Sequence, residues 1–164
     1  MNDAFLRLAQ HPVKFKWFLM MRLPAAFFCG VRLRYIDVHK AEATVPYKWL
    51  TQNPFRSTYF ACLAMAAEMS TGVLAMGHLY KQSPMSMLIV KMEARYFKKA
   101  TEKVSFSCEE GQRLQQVIEE ARASGKPLEC TVQSVGYNQA GERIAEFNFT
   151  WSFKSKSTGK PVRV

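Results

Sequence analysis

The sequence predicts an α+β fold in which an antiparallel β-sheet wraps around one long, buried helix. Residues 60–76 form the most apolar stretch of the chain, and many of their side chains are small. Such a helix needs close neighbours on all sides, so we expect it in the centre of a domain. Alternating apolar and polar residues indicate strands before and after it, most clearly over residues 142–154. Their connections by turns or by a single helix are typical of an antiparallel sheet.

The length and composition of the chain indicate a single globular domain. The chain has 164 residues, of which 48% are hydrophobic and 22% are charged. A chain of this length buries roughly 70% of the surface that it exposes when unfolded, which is enough for one core. The composition excludes disordered and low-complexity classes. We assign residues 1–156 to one domain that begins with a helical segment over residues 1–23, and residues 157–164 to a loose polar tail.

Residue spacing predicts the elements in chain order as follows: a helix over 3–22, a hairpin over 30–46, the central helix over 58–76, a strand over 86–98, a strand over 103–109, a short amphipathic helix over 112–123, and a closing hairpin over 127–137 and 142–154. Pro12 lacks a backbone donor and is expected to kink or restart the first helix, which Pro24 ends. Ser57 and Thr58 are the candidate N-caps of the central helix, and Gly77 is its expected end.

Two expectations concern the placement of apolar side chains. In the strand over 86–98, the alternation predicts that one face is shared by Leu88, Val90, Met92, Ala94 and Tyr96. In the first helix, Trp17 and Phe18 are expected to pack on the body of the protein or on a partner, while Arg7, Lys14 and Lys16 stay in water. The alternative is a basic amphipathic helix that lies on anionic lipid.

The chain is strongly basic, with 23 Lys and Arg against 13 Asp and Glu and a net charge of +10. An excess of this size indicates an anionic partner such as nucleic acid, a membrane surface or a phosphorylated ligand. One strand and the turn after it carry a cluster of bases, namely Lys91, Arg95, Lys98, Lys99 and Lys103. The cluster would suit the phosphates of a ligand, and it would equally suit a solvated sheet edge that discourages pairing. Because aromatic residues do not interleave with it, nucleic acid is not the expected partner.

The cysteines and the apolar segment bear on where the protein resides. The cysteines lie too far apart in the chain for a metal knuckle and are too few for a disulfide-stapled domain. We therefore expect reduced, largely buried thiols in a cytoplasmic protein, at Cys29, Cys62, Cys108 and Cys130. The N-terminus lacks the layout of a signal peptide. Residues 60–76 are shorter than the ~20 residues of a spanning helix and carry Glu68 at their middle, so no stable membrane insertion is expected.

Glu68 is the candidate catalytic group that the residues themselves single out. It is the only acid in the most apolar segment, where desolvation raises the pKa of a carboxyl group. A carboxylate of this kind can serve as a base near neutral pH or attack a carbonyl carbon directly. The alternative is a structural acid that pairs with a basic residue at a dimer interface. The histidines lie in different predicted elements without metal-ligand spacing, so neither a metal nor a cofactor is expected: His11, His39 and His78.

The order of the elements and one spacing resemble the hot-dog superfamily of acyl-CoA thioesterases and dehydratases. Its phenylacetyl-CoA-type thioesterases carry an Asn, a His-Gly-Gly six residues later, and an Asp or Glu nine residues after the His. Here Asn53 precedes Tyr59 by six residues and Glu68 follows Tyr59 by nine, but Tyr59-Phe60-Ala61 replaces His-Gly-Gly. The chain is most similar to a divergent, largely uncharacterised branch that has an N-terminal helix, an NPF-type loop and a helix end like AMAEMSTG. The resemblance covers residues 24–154.

This resemblance implies hydrolysis of an acyl-CoA thioester. Glu68 and Asn53 would be the catalytic residues, and the backbone N–H groups of Phe60 and Ala61 would bind the oxyanion. Asn53 also fits an ordinary Asn-Pro turn. The other implied roles are a substrate pocket at Tyr59 and Thr71 and a site for the phosphates of coenzyme A at Arg95, Lys98 and Lys99. The resemblance further implies a homo-oligomer, either a dimer or a tetramer of dimers, with each active site between two protomers.

Two other functions stay open beside the predicted thioesterase. A non-catalytic acyl-CoA or lipid binder on the same fold is favoured by the missing His-Gly-Gly, because a Cβ at those positions can block close approach of a substrate. A basic nucleic-acid or membrane-surface protein is favoured by the net charge and by the N-terminal helix.

Overall fold

The computed structural model describes residues 1–82 and 84–156, which form a six-stranded antiparallel sheet with one long helix packed against it. In chain order the elements are α1 (Asp3–Gln10), α2 (Pro12–Arg22), α3 (Pro24–Cys29), β1 (Arg32–Ile36), β2 (Ala41–Val45), a 3-10 helix (Trp49–Thr51), α4 (Phe60–Leu79), β3 (Met85–Tyr96), β4 (Val104–Cys108), α5 (Gly111–Ser124), β5 (Leu128–Tyr137) and β6 (Arg143–Ser155). Across the sheet the order is β1-β2-β4-β5-β6-β3, and every neighbouring pair is antiparallel. This is the hot-dog architecture, and the predicted fold class is confirmed. The tail predicted over residues 157–164 lies outside the described residues.

Helix α4 is the centre of the domain. It is apolar around its circumference, and 13 of its 20 residues are buried. Strands β2, β4 and β5 and helix α5 all pack against it. The helix is longer than predicted and is long and apolar enough to cross a membrane, but 67% of its most apolar window is buried inside the protein. That burial is typical of a core helix.

Both ends of α4 differ from the prediction. Its N-cap is Tyr59, whose side chain makes no capping hydrogen bond. The predicted cap Thr58 instead donates its hydroxyl to the carbonyl oxygen of Ala100 (3.1 Å), which ties the preceding loop to the segment after β3. At the other end the helix continues through Gly77, which stays helical and lies against the side chain of Met1.

The N-terminal segment consists of three helices, because Pro12 and Pro24 each begin a new one. Proline suits the first helical position, since its φ is already helical and its missing N–H would have no partner there. Helix α2 buries Phe15 and Leu19. In contrast, the side chain of Trp17 is 63% exposed, so Trp17 does not pack on the body of its own chain, and its packing on a partner stays a prediction.

Strand β3 lies at one edge of the sheet and is exposed over residues 90–96. Leu88, Val90 and Met92, which were predicted to share an apolar face, all stand in water. Within the described part of the chain, β6 is the only strand that pairs with β3. An unpaired edge with exposed apolar side chains is a surface that proteins normally cover.

The closing hairpin packs as its alternating sequence predicts. Phe147, Phe149, Trp151 and Phe153 on β6 are all buried, while the residues between them are at least partly accessible. This face of β6 is directed towards the core, and it brings Trp151 against α4.

Candidate active site

Glu68 lies on the side of α4 that the sheet and α5 leave partly open. Up to Glu68, the half-buried residues of this stripe recur at the three- and four-residue spacing of one helix face, and a further one lies two turns on: Ala61, Ala64, Met65, Glu68 and Met76. The carboxylate lies against the next turn of the helix, where a Cβ built on Gly72 would be 2.7 Å from Oε1 of Glu68. The same Cβ would be 3.5 Å from the ring of Trp151, so the indole is a close neighbour.

Burial raises the pKa of the Glu68 carboxyl group from its ordinary value of 4.5 to about 7. Desolvation is the cause, and within residues 1–82 and 84–156 no cation or hydrogen-bond donor offsets it. The alternative of a structural acid paired with a base therefore finds no partner in the described part of one chain. A carboxyl group that titrates near neutral pH is suited to accept and return a proton.

Thr71 and Trp151 fix the helical turn that carries Glu68. The indole Nε1 of Trp151 donates to Oγ1 of Thr71 (3.1 Å), and the Thr71 hydroxyl donates to the carbonyl oxygen of Glu68 (3.0 Å). Thr71 is fully buried, so its expected place in a substrate pocket is corrected to a structural role. The buried hydrogen bonds hold the backbone beneath the carboxylate.

An open cleft of about 560 Å³ lies at the start of α4, away from Glu68. Five of the predicted site residues line it: Asn53, Tyr59, Phe60, Lys98 and Lys99. Much of the remaining wall is aromatic, with Phe55, Tyr96 and Phe97. A mostly apolar cleft with a few polar groups suits a small organic ligand that carries a charged end.

The first turn of α4 begins at this cleft and carries free hydrogen-bond donors. In the described part of the chain, the N–H groups of Phe60 and Ala61 have no acceptor. Helix N-termini leave such donors unpaired, and the helix dipole adds a positive potential there. The side chains of Tyr59 and Phe60 are both exposed and lie edge to face, with ring centroids 4.8 Å apart.

Asn53 holds its own loop together. Its Oδ1 accepts hydrogen bonds from the N–H of Phe55 (3.0 Å) and from the N–H and hydroxyl of Ser57 (both 3.2 Å). These contacts are those of an Asn-Pro turn, the alternative that the sequence left open. They leave the Nδ2 group of Asn53 as the part of the amide that can face a ligand.

The predicted phosphate-binding bases differ in how their charges are used. Lys98 forms an ion pair with Glu142 (2.6 Å), which lowers the pKa of that carboxyl group. Lys99 is exposed on the cleft wall and has no ion-pair partner among the described residues. Arg95 is also exposed, but it is not part of that wall. Lys99 is therefore the base with the most available charge at the cleft.

One chain separates Glu68 from the predicted oxyanion donors along α4. Glu68 follows Ala61 by seven residues, which corresponds to about 10 Å along a helix. In a water-mediated attack, the water lies about 3 Å from the base and the carbonyl oxygen lies about 3 Å from its hydrogen-bond donors. In one protomer, Glu68 and the cleft at the start of α4 are two separate parts of the predicted site.

The sequence reasoning missed Gly72 and Trp151 as parts of the site. Gly72 follows Glu68 by four residues and so lies on the same helix face, where glycine costs about 1 kcal/mol relative to alanine. That cost was an available signal of close approach. The alternation of β6 predicted that Trp151 points inward, but its proximity to Glu68 depends on the tertiary fold. No group of three potential metal-ligating side chains occurs within residues 1–82 and 84–156.

Comparison with protein families places the chain in one of them. The model of the family described as "Domain of unknown function (DUF4442)" matches residues 13–153, and the chain belongs to this family. The sequence matches no curated protein with significance.

Solved structures share the fold over nearly their whole length. A Pseudomonas aeruginosa protein described as a "probable thioesterase" is 18% identical, with a TM-score of 0.75 over 88% of this chain and 97% of that one. A Chlorobaculum tepidum protein of unknown function is 16% identical, with a TM-score of 0.76 over 91% and 97% of the two chains. A Haemophilus influenzae thioesterase is 12% identical, with a TM-score of 0.65 over 88% and 90%. At these identities the similarity establishes the fold.

Proposed function

We propose that the protein is an acyl-CoA thioesterase that uses Glu68 as its base. The observation that carries this proposal is the Glu68 carboxyl group, which lies at the middle of the central helix with its pKa raised to about 7. Solved structures named as thioesterases share the fold, which supports the reaction class. The exposed base Lys99 and the apolar cleft suit the phosphates and the acyl part of the substrate.

In this reaction Glu68 takes a proton from a water molecule as the water oxygen attacks the thioester carbonyl carbon. The negative charge that develops on the carbonyl oxygen accepts hydrogen bonds from the N–H groups of Phe60 and Ala61. Collapse of the tetrahedral intermediate breaks the carbon–sulfur bond. The proton held by Glu68 passes to the departing sulfur, which gives a free acid and free coenzyme A.

A homodimer would complete the site, because the base and the donors are separated within one chain. The exposed edge of β3 can pair with the same edge of a second copy about a two-fold axis. Leu88, Val90 and Met92 would then leave water, and the half-buried stripe of α4 would be covered. In such a dimer, Glu68 of one protomer would face the first turn of α4 of the other. A cytoplasmic location is part of the proposal, since coenzyme A and free thiols coexist there.

A non-catalytic acyl-CoA binder is the second candidate, and a specific observation favours it. The rings of Tyr59 and Phe60 stand beside the oxyanion donors, where the related thioesterases have His and Gly. If these rings keep the thioester carbonyl from the N–H groups, the cleft holds a ligand without cleaving it.

Release of free thiol from a panel of acyl-CoAs tests the proposal. The wild type should release thiol, and Glu68→Gln should reduce the rate by about a hundredfold or more, since losing one general base costs roughly 10²–10⁴. Glu120→Gln, which removes an exposed acid on α5, is the matched control and should leave the rate unchanged. Binding of acyl-CoA without thiol release by the wild type would establish the binder instead.

A further inference from the structure

The N-terminal part of the chain has an unusual distribution of charge. Between Asp3 and Asp37 there is no acidic residue, while six bases occur there: Arg7, Lys14, Lys16, Arg22, Arg32 and Arg34. These bases supply much of the net charge of +10. A region of a single sign attracts an anionic surface and repels a second copy of itself.

Helix α2 exposes apolar side chains on the face opposite to its buried one. Val13, Trp17 and Met21 recur every four residues and are 70%, 63% and 62% exposed. At 3.6 residues per turn, this stripe lies about 180° from the buried pair Phe15 and Leu19. The docking stripe, as we call Val13, Trp17 and Met21, is therefore not part of the core.

Bases flank the docking stripe on both sides. At about 100° per residue, Lys14 lies beyond one margin of the stripe and Lys16 beyond the other, and both are exposed. An apolar face between lysines, with an exposed tryptophan at its middle, is the arrangement of helices that lie in the interface of a bilayer. In this arrangement the apolar side chains of the docking stripe enter the bilayer, and the anionic headgroups contact Lys14 and Lys16.

The docking stripe belongs to the opposite edge of the sheet from β3. Helix α1 packs on β1, which is the far edge strand in the order β1-β2-β4-β5-β6-β3, and α2 continues from α1. A dimer formed through β3 would leave the stripe uncovered. Pairing two stripes with each other would bring Lys14 and Lys16 of the two copies together, which like charges oppose.

From these features we propose that α2 docks the protein peripherally on an anionic phospholipid bilayer through Val13, Trp17 and Met21. The helix lies in the interface and does not span it.

Flotation of the full chain with vesicles tests the proposal. The wild type should float with vesicles of phosphatidylcholine and phosphatidylglycerol but not with phosphatidylcholine alone, and high salt should release it. The triple variant Val13→Ser, Trp17→Ser, Met21→Ser should lose at least about tenfold in vesicle affinity. Tyr137→Ser, which removes an exposed aromatic side chain on β5, is the control and should float like the wild type.

Two further comparisons distinguish a bilayer from a second copy of the chain or nucleic acid as the partner of the docking stripe. Lys14→Glu with Lys16→Glu should weaken flotation by about tenfold or more, whereas Lys103→Glu with Lys126→Glu, which changes the net charge equally, should weaken it much less. Equal flotation of the wild type and the triple variant would overturn the proposal. If the wild type does not float and the triple variant forms a smaller oligomer than the wild type, the stripe is a contact with a second copy. Salt-sensitive retention on single-stranded DNA without flotation would assign it to nucleic acid.

Discussion

The Glu68 carboxylate lies directly over Gly72, and the two residues can occupy this arrangement only because position 72 has no side chain. An added methyl group would be 2.7 Å from Oε1 and would have to displace the carboxylate. The position of the proposed base is thus determined by a glycine one turn further along the same helix.

Gly72→Ala should separate activity from stability. Alanine favours a helix by up to about 1 kcal/mol, so the melting temperature should not fall, while thioester hydrolysis should drop by about tenfold or more because the carboxylate moves. Gly77→Ala is the matched control on the same helix, since the three atoms nearest to its added methyl group belong to the flexible side chain of Met1. Thiol release that is unaffected by Gly72→Ala would show that the observed carboxylate position does not matter for the reaction.

The rate of hydrolysis should depend on the protonation of Glu68. A general base works in its deprotonated form, so kcat/KM should rise with pH and reach half its plateau near pH 7, where the Glu68 carboxyl group titrates. Measurement of kcat/KM from pH 5 to 9 checks this. The residual kcat/KM of Glu68→Gln should not show the rise around pH 7. A profile that is already flat below pH 6 would be incompatible with this base.

Glu68 should also impose a pH-dependent cost on folding. Its pKa is about 7 when folded and near 4.5 when unfolded, so the native state binds more protons between these values and stability falls as pH rises. Glu68→Gln removes this cost, and its gain in unfolding free energy should grow from near zero at pH 4.5 to roughly 3 kcal/mol above pH 7. Urea titrations of both proteins at several pH values measure the difference. A constant difference across pH would contradict the raised pKa.

His78 contributes a slope of the opposite sign. Burial, followed by the nearby N-terminal amine, lowers the pKa of His78 to about 4, below its ordinary 6.5. The native state then binds fewer protons in this window, so acidification from pH 6.5 to pH 4 destabilises the fold. The two residues thus change the unfolding free energy with pH in opposite directions. Comparing Glu68→Gln with the wild type isolates the contribution of Glu68, because His78 is the same in both proteins.

The edge of β3 should control the oligomeric state. Val90→Lys places a charge on the exposed edge and should convert a dimer to a monomer with little loss of secondary structure. Val38→Lys, in the exposed turn between β1 and β2, serves as the control for adding one charge. Sedimentation velocity at micromolar concentration measures both. A wild type that sediments as an 18.8 kDa monomer would rule out the proposed pairing.

The thiols should be slow to react in the folded protein. Burial raises the pKa of Cys62 and of Cys108 to about 12, and Cys130 is also buried with a raised pKa. Because the thiolate is the reactive form, an alkylating reagent should modify about one thiol readily, that of half-buried Cys29, and all four after unfolding in guanidinium. Rapid modification of two or more thiols in the native protein would contradict this packing.

The sequence predicted those parts of the fold that depend on local pattern. The alternation of β6 allows only one register, because a shift of one residue would turn Phe147 or Phe149 outward. The apolar run of α4 likewise fits only a buried helix. The placement of Trp17 and Val90 could not be predicted in this way. Their patterns match a buried face equally well, and what covers such a face is decided by a partner or a surface outside the chain.

The candidate site was predictable in its residues and not in its geometry. The spacing from Asn53 to Glu68 identified both positions, but it contained no information on the loop contacts that occupy Oδ1 of Asn53. The burial of Thr71 beneath Trp151 depends on a hydrogen bond between residues 80 positions apart. Contacts of this range are fixed by the fold and leave no local signal.

The order of the elements has a consequence for the newly made chain. Helix α4 is complete at Leu79, but β4, β5 and β6, which cover much of it, follow in the sequence up to Ser155. At about 5–20 residues per second, about 4–15 s of synthesis separate the end of the helix from the end of the strands that pack on it. A charge at the middle of an apolar helix opposes membrane insertion by about 2.5–3.5 kcal/mol. The charge of Glu68 therefore disfavours insertion of the helix during that interval.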